Sequence, residues 1–327
     1  MNWQGTRVLV TGAGGFIGSH LTERLVENGA TVRALVRYTS DGRWGWLNHS
    51  PPKNEIEVVR GDVADLEFVR KAVAGCEVVF HLAAMVAIPY SYQAPQVYVR
   101  TNVEGTLNVL QAARAVDVRR IVHTSTSEVY GTAQFVPINE THPLVGQSPY
   151  AATKIGADKL AESFYRSFRL PVVTLRPFNT FGPRQSTRAV IPTIITQALA
   201  SQAIKLGSLT PTRDMNYVAN TVDAFIKAAE SESAVGQTVN AGSGRDISIG
   251  DLAKLICKLV GVEPRIECDE QRLRPKDSEV ERLLADNTRA RALIGWKPEV
   301  LLEDGLRRTI EWTRENLGRY RVGQHAV

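Results

Sequence analysis

The first half of the chain alternates short apolar runs with longer amphipathic stretches. Apolar, β-branched runs fall at 7–11, 31–36, 56–60, 77–81, 119–124 and 171–176, each bounded by glycine, proline or polar residues, and each reads as a strand. Between them, apolar positions recur every three or four residues over 15–28, 65–74, 94–116 and 149–168, the period of a helix with one covered face. Strands that are apolar throughout need cover on both sides, and alternating helices supply it. The pattern predicts an α/β fold with a doubly wound parallel sheet of Rossmann type. After Arg176-Pro177-Phe178 the rhythm changes: Pro183 and Pro192 punctuate a loop-rich stretch, a helix follows near 190–201, and a short strand covers Ile204 to Leu206. Helices recur near 219–231, 248–260 and 303–316.

The first strand runs into Gly12-Ala13-Gly14-Gly15-Phe16-Ile17-Gly18, after which a helical pattern begins at Leu21, Leu25 and Val26. Strand, glycine turn and helix is the arrangement that sets a dinucleotide pyrophosphate on a helix N-terminus. The spacing of Gly12, Gly15 and Gly18 is Gly-x-x-Gly-x-x-Gly, not the commoner Gly-x-Gly-x-x-Gly. Ligands of such sheets lie beyond the strand C-termini. Asp62 follows the third strand, and Leu82-Ala83-Ala84 follows the fourth, where small residues let a flat ligand lie on the sheet edge. At the end of the second strand a NAD-selective site wants an acid, but Val36 stands there, followed by Arg37. A lost acid and a gained guanidinium suit a 2′-phosphate, so the sequence favours NADP over NAD; stacking of Arg37 on adenine is the alternative. These features assign 1–178 and 216–242 to a dinucleotide-binding domain, and 179–215 and 243–327 to a smaller substrate-covering lobe.

The candidate chemistry lies between the fifth strand and the helix after it. Residues 124–131 read Thr-Ser-Thr-Ser-Glu-Val-Tyr-Gly, and 149–154 read Pro-Tyr-Ala-Ala-Thr-Lys. Tyr150 and Lys154, four apart on a helix, share a face. A nearby cation favours the ionised form of a Tyr, which can then take a proton from a hydroxyl while a cofactor takes the hydride. Thr126, Ser127 and Glu128 stand upstream; Glu128 adds a second proton acceptor that a simple alcohol dehydrogenase does not need. Capping of the next turn is the plainer role for Thr126 and Ser127. Arg184, Arg213 and Arg274 are candidate phosphate ligands, because a guanidinium binds phosphate oxygens bidentately; each suits a surface ion pair as readily. Trp44 and Trp46 flank Gly45 and either pack their own loop or stand near the adenosine end of the cofactor.

Composition narrows the partners. Net charge is +5 over 327 residues, spread along the chain with no basic stripe and interleaved aromatics, so nucleic acid is not an expected partner. A phosphate-bearing small substrate accounts for the bias equally well. Three cysteines and six histidines show no disulfide or metal-ligand spacing, which leaves no expected metal and makes a reducing cytoplasm the expected setting. Met1 to Gly5 lead straight into the first strand without a signal peptide, and no apolar run reaches the ~18 residues of a membrane helix.

The glycine turn, Thr124–Gly131, Tyr150–Lys154 and Arg176–Pro183 together resemble the extended short-chain dehydrogenase/reductases acting on nucleotide sugars. Asp62-Val63, Asn102-x-x-Gly105-Thr106, Arg213-Asp214 with Tyr217-Val218, Asn240-x-Gly242 and Leu293-x-Gly295-Trp296 extend the likeness over nearly the whole chain. The segments from Arg176 to Ser186 and from Gly207 to Asp214 look closest to the 4,6-dehydratases of the legionaminic acid pathway, which act on GDP-N-acetylglucosamine. The resemblance implies a tightly bound NAD or NADP, touched also by Val63, Asn102, Thr124 and Pro177. It implies a nucleotide sugar near Asn179, Val190, Ile191 and Asn216, and a homodimer formed by the helices of 94–116 and 149–168 in a four-helix bundle. It further implies that Tyr150 accepts the O4 proton, that Lys154 supports it, that Thr126 bonds the C4 oxygen and that Glu128 removes the C5 proton. dTDP-glucose dehydratases carry Thr-Asp-Glu where this chain has Thr126-Ser127-Glu128. The Thr-Ser-Glu form occurs in GDP-mannose dehydratases and in UDP-glucuronate decarboxylases, so the triplet alone does not choose between them. C4 epimerases commonly lack the Glu.

Overall fold

In this computed structural model, residues 1–200, 203–263 and 265–323 are described. Residue 201 of the expected 190–201 helix, and 324–327 at the end of the expected lobe, lie outside the described residues. The chain opens with β1 (Arg7–Thr11), α1 (Phe16–Glu27), β2 (Thr31–Arg37), β3 (Glu57–Gly61), α2 (Leu66–Val73) and β4 (Val78–His81). Next come α3 (Ile88–Gln93), α4 (Pro95–Tyr98), α5 (Gly105–Ala115), β5 (Arg120–Thr124), α6 (Pro149–Phe168) and β6 (Val172–Pro177). The second half adds β7 (Asn179–Phe181), α7 (Val190–Leu199), β8 (Ile204–Leu206), β9 (Thr212–Tyr217), α8 (Val218–Glu230) and β10 (Thr238–Ala241). It closes with β11 (Asp246–Ser248), α9 (Ile249–Val260), β12 (Ile266–Cys268), α10 (Thr288–Ile294) and α11 (Leu302–Glu315).

Seven parallel strands form the main sheet in the order β10-β6-β5-β4-β1-β2-β3. The order reverses between β1 and β4, and a crevice opens there beyond the strand ends. Side chains alternate between two cores, as a two-residue period requires. Val8, Val10 and Phe80 enter one core with Leu21, Leu25 of α1 and Phe225 of α8. Leu9, Val79 and Ile121 enter the other with Val69 of α2, Leu110 of α5 and Phe164 of α6. Each such side chain stabilises the fold by about 1.5–3 kcal/mol, so the strand ends that carry the site are anchored on both faces. The first core continues into the second half through Ile194 of α7, Ile256 of α9 and Ile310 of α11. A three-stranded sheet, β11-β9-β7, and the pair β12-β8 complete that half.

Helix ends follow local chemistry. Ser148 caps α6 by accepting from the Ala151 amide, and Pro149 fills the first helical position, where no amide donor is needed. Several features depart from the sequence pattern. The expected 94–116 helix is α4, a π-helical turn over Val99–Glu104, and then α5. The wider turn puts Asn102 inside, where its amide spans the Met85 backbone N–H (2.8 Å) and C=O (3.0 Å) and donates to Thr153 Oγ1 at 3.0 Å. Helix α3 is too short to show a period. The seventh strand, β10, pairs with β6 from within the 216–242 segment.

Candidate active site

The glycine turn folds as it does because nothing larger fits. Gly12 has φ +69°, and a Cβ there would stand 2.8 Å from the Ala83 amide nitrogen. A Cβ on Gly18 would meet the Gly12 carbonyl carbon at 2.9 Å. The β1 turn, α1 and the β4 end thus close to backbone contact, and the start of α1 presents free amides to the crevice. Thr11 Oγ1 accepts from the Leu82 and Ala83 amides at 3.1 and 3.0 Å and fixes the β4 end beside the turn. A cavity of about 1300 Å³ runs from this turn across the sheet edge to the second half of the molecule.

Many of the sequence-predicted cofactor residues meet there: Gly12, Gly15, Phe16, Ile17 and Gly18 at one wall, Arg37 at the end of β2, Leu82, Ala83 and Ala84 beyond β4, with Thr124 and Pro177 deeper. Three do not. Asp62 turns its carboxylate onto the Ala64 amide (2.9 Å), and Val63 is buried against Gly105, with its carbonyl taken by Asn108. Asn102, as described above, is buried in the π turn. Trp44 and Trp46 divide: Trp44 lines the cavity, whereas Trp46 packs edge-on against Trp312, ring centres 5.5 Å apart.

Thr126, Ser127, Glu128, Tyr150 and Lys154 all line the deep part of the cavity. Ser127 and Glu128 lie in a 3-10 turn, Ser127–Tyr130, which Thr126 caps by accepting from the Glu128 amide at 3.2 Å. Thr126 thus caps this turn, and its hydroxyl also bonds Tyr150. Burial raises the Tyr150 phenol well above its ordinary value; the Thr126 bond works against this, and the Glu128 carboxylate adds to it. Proximity to Lys154 does not draw Tyr150 toward neutrality in this arrangement. Lys154 Nζ donates to the Thr124 carbonyl at 2.5 Å, and burial lowers its ammonium to about 8.

Of the substrate candidates, Asn179, Val190, Ile191, Arg213 and Arg274 line the cavity. Asn179 Oδ1 is buried without a partner. Arg213 and Arg274 converge on one Glu279 oxygen, at 3.2 and 3.5 Å. Arg213 also faces Glu128, whose charge opposes the loss of basicity that burial imposes on the guanidinium. Arg184 and Asn216 are elsewhere. Arg184 pairs with Glu23 at 2.9 Å and Ser19 at 3.1 Å on α1, so its charge is already matched. Asn216 is fully buried and holds Thr221 and Asn220 at the start of α8. Sequence reasoning missed Glu279, Arg188 and Tyr92, which also line the cavity. Tyr92 Oη and Ser278 Oγ lie 2.6 Å apart, joining α3 to the segment that carries Glu279. No local pattern marks these residues, because their partners lie far away in sequence. Among the described residues no cluster of potential metal ligands occurs, and no helix is long and apolar enough to cross a membrane.

Residues 9–309 match the family described as GDP-mannose 4,6 dehydratase. A UDP-glucose 4-epimerase of Mycolicibacterium smegmatis is 36% identical over 94% of this chain and 98% of its own. A dTDP-D-glucose 4,6-dehydratase of Mus musculus is 29% identical over 98% of this chain and 92% of its own. Among solved structures, the dTDP-glucose 4,6-dehydratase DesIV of Streptomyces venezuelae, with NAD and TYD bound, superposes with a TM-score of 0.89 at 28% identity. That match covers 97% of this chain and 99% of DesIV. Epimerases and dehydratases thus match alike, and the site must separate them.

Proposed function

The chain belongs to the GDP-mannose 4,6 dehydratase family of nucleotide-sugar dehydratases and epimerases, and on that premise we propose that it is a nucleotide-sugar 4,6-dehydratase. The observation that carries this reading is Glu128: a buried carboxylate one residue beyond the Ser127 hydroxyl, acting on Tyr150 across the same cavity. A C4 epimerase needs one proton acceptor; a dehydratase needs a second for C5. The sugar would be a nucleoside-diphosphate hexose, with GDP- or UDP-N-acetylglucosamine favoured, as in the legionaminic acid dehydratases.

The glycine walls fit a nicotinamide dinucleotide, since any Cβ at Gly12 or Gly18 would fill the space its backbone approach requires. When bound, that group supplies the hydride acceptor for sugar C4 and the hydride donor for C6. The protein residues do the rest. Tyr150 takes the O4 proton, which requires Lys154 to leave the Thr124 carbonyl and support the phenolate. Thr126 bonds the developing C4 oxygen. Glu128 removes the C5 proton, made acidic by the C4 ketone, and passes it to the C6 hydroxyl, which departs as water; Ser127 assists by a hydrogen bond. Arg213 and Arg274 bind the diphosphate, with Asn179, Val190 and Ile191 along the nucleotide sugar. On this reading 179–215 and 243–327 form the substrate lobe over the dinucleotide-binding part.

Arg37 and Arg43 line the cavity at and beyond the end of β2, and Asp41, the acid beside them, is paired with Arg43 at 2.7 Å. We therefore favour tightly bound NADP, although DesIV holds NAD. A homodimer through the α4–α5 stretch and α6 is supported by Val97, Val99 and Phe168, which stay exposed there. The free cysteines suit a reducing cytoplasm. A decarboxylase is the second reading, because Arg213 beside Glu128 is a cation of the kind a C6 carboxylate requires. Incubation with a panel of nucleotide sugars, with product masses read, tests the proposal. Loss of one water from a hexose supports it; loss of carbon dioxide from a uronate selects the second reading, and a product of unchanged mass with inverted C4 selects an epimerase.

A further inference from the structure

We propose that Asp158 is a positioning residue of this centre: its buried carboxylate keeps the Lys154 ammonium charged and, through Arg176, fixes the turn that carries Glu128. The inference rests on the Tyr150–Lys154 reading above. Asp158 follows Lys154 by one turn of α6, so the two side chains share a face. It is 5% exposed and accepts from Ser125 Oγ at 2.7 Å, His123 Nε2 at 3.1 Å, and Arg176 Nε and Nη2 at 3.1 and 2.9 Å. Lys154 donates to the carbonyl of Thr124, the residue before Ser125. The cation and the carboxylate therefore hold consecutive residues at the end of β5.

An ammonium buried this deeply loses its proton easily. Burial draws Lys154 down, and Asp158 is the charge that pushes back. Burial also pushes the Asp158 carboxyl up, but the His123 bond and the Arg176 guanidinium outweigh it and hold the group at about 2. The other groups facing the pair cannot take over this role. Tyr150 is kept protonated by burial. His81 and His123 are both pushed below their ordinary range by burial, so His123 meets Asp158 as a neutral hydrogen-bond donor, not as an ion-pair partner. Glu128 acts on Tyr150 and Arg213.

The second half of the device runs away from Lys154. Arg176 Nη1 donates to Tyr130 Oη at 2.9 Å, and Tyr130 donates to Asn240 Oδ1 at 2.7 Å. Tyr130 closes the Ser127–Tyr130 turn. Asp158, Arg176 and Tyr130 thus join Lys154 and the Glu128 turn through buried groups alone, spanning α6, β6 and the segment after β5.

The test is the pH dependence of substrate C4 oxidation in one turnover of the full-length protein carrying its dinucleotide. In the wild type the rate should fall on the alkaline side as Lys154 loses its proton. Asp158→Asn should move that limb to lower pH by about one unit or more, the size of effect a nearby opposite charge exerts. Ser125→Ala, which removes a hydrogen bond but no charge, should leave the limb in place. If Asp158→Asn does not fold, the double variant Asp158→Asn, Arg176→Gln removes both members of the buried Asp158–Arg176 pair and should displace the limb in the same direction, by less because a like charge is removed with it. NMR titration of the Lys154 side chain reads the shift without turnover. A folded variant with an unmoved limb and an unmoved Lys154 titration overturns the proposal. A wild type without Tyr150-dependent oxidation overturns the Tyr–Lys reading instead.

Discussion

Glu128→Gln separates the two halves of the proposed reaction. The substitution keeps the shape of a residue that is 8% exposed, and the turn around it does not depend on the carboxylate. The Glu128 amide is held by Thr126, and the end of the turn by Tyr130 through Arg176 and Asn240. The fold and the cavity should therefore persist. The Glu128 charge raises the Tyr150 phenol, so its removal does not hinder loss of the O4 proton and eases it slightly. The C5 proton, in contrast, loses its acceptor. A positioned general base contributes about 10²–10⁴-fold, which corresponds to roughly 3–5 kcal/mol of barrier at about 1.4 kcal/mol per tenfold. The assay is rapid mixing with substrate in heavy water. Oxidation at C4 should proceed at or near the wild-type rate, so that reduced nicotinamide builds up, while deuterium entry at C5 and water loss fall by that factor. Undiminished exchange and turnover would refute the reasoning, as would equal loss of both halves in a folded protein.

Other outcomes follow from the same geometry. Tyr150→Phe should lower turnover by about 10²–10⁴-fold with the fold intact; a variant that still oxidises C4 on mixing removes Tyr150 as the base. Arg37→Asp should weaken NADP more than NAD, and equal weakening of both, or recovery of NAD alone from the wild type, counts against the 2′-phosphate assignment. Burial pulls His20 down to about 4 and holds His81 and His123 below their usual range. Folded-state values below the unfolded ~6.5 mean that the contribution is complete above that pH and is lost as pH falls, by up to about 1.4 kcal/mol per unit for each group in its window. Tm should change only slightly from pH 8 to 7, where the buried Lys154 titrates, and drop toward pH 5; an unchanged Tm at pH 5 contradicts the neutral burial. Sedimentation at micromolar concentration should give a dimer, and a species of 36.0 kDa at every concentration excludes it.

What was legible in the sequence was what is local. The β1 turn and its glycines, and the Tyr150–Lys154 spacing, are set within a dozen residues, and the six strand runs of the first half became strands of the main sheet. Roles fixed by distant partners were not legible. A guanidinium does not announce its partner: Arg184 found Glu23, 161 residues away, whereas Arg213 stayed in the cavity with Glu279. Asn102 lies in a run that reads as ordinary helix, and only the π turn shows that its amide is used to hold Met85 and Thr153. Six of the seven main-sheet strands could be read to within one residue, but the four-residue β10 and the three-residue β7 and β11 are too short for a clear periodicity. The direction of the Tyr150 shift was misjudged for a related reason, since Lys154 is drawn to Thr124 and burial then dominates the phenol.

The central claim is that hydride leaves C4 and returns to C6 of the same sugar. It is tested most directly with a nucleotide hexose carrying deuterium at C4, turned over by the wild-type protein without added reductant. The account predicts a 4-keto-6-deoxy product with that deuterium on C6, one water lighter than the substrate. Deuterium found again on C4, in a product of unchanged mass, would contradict it.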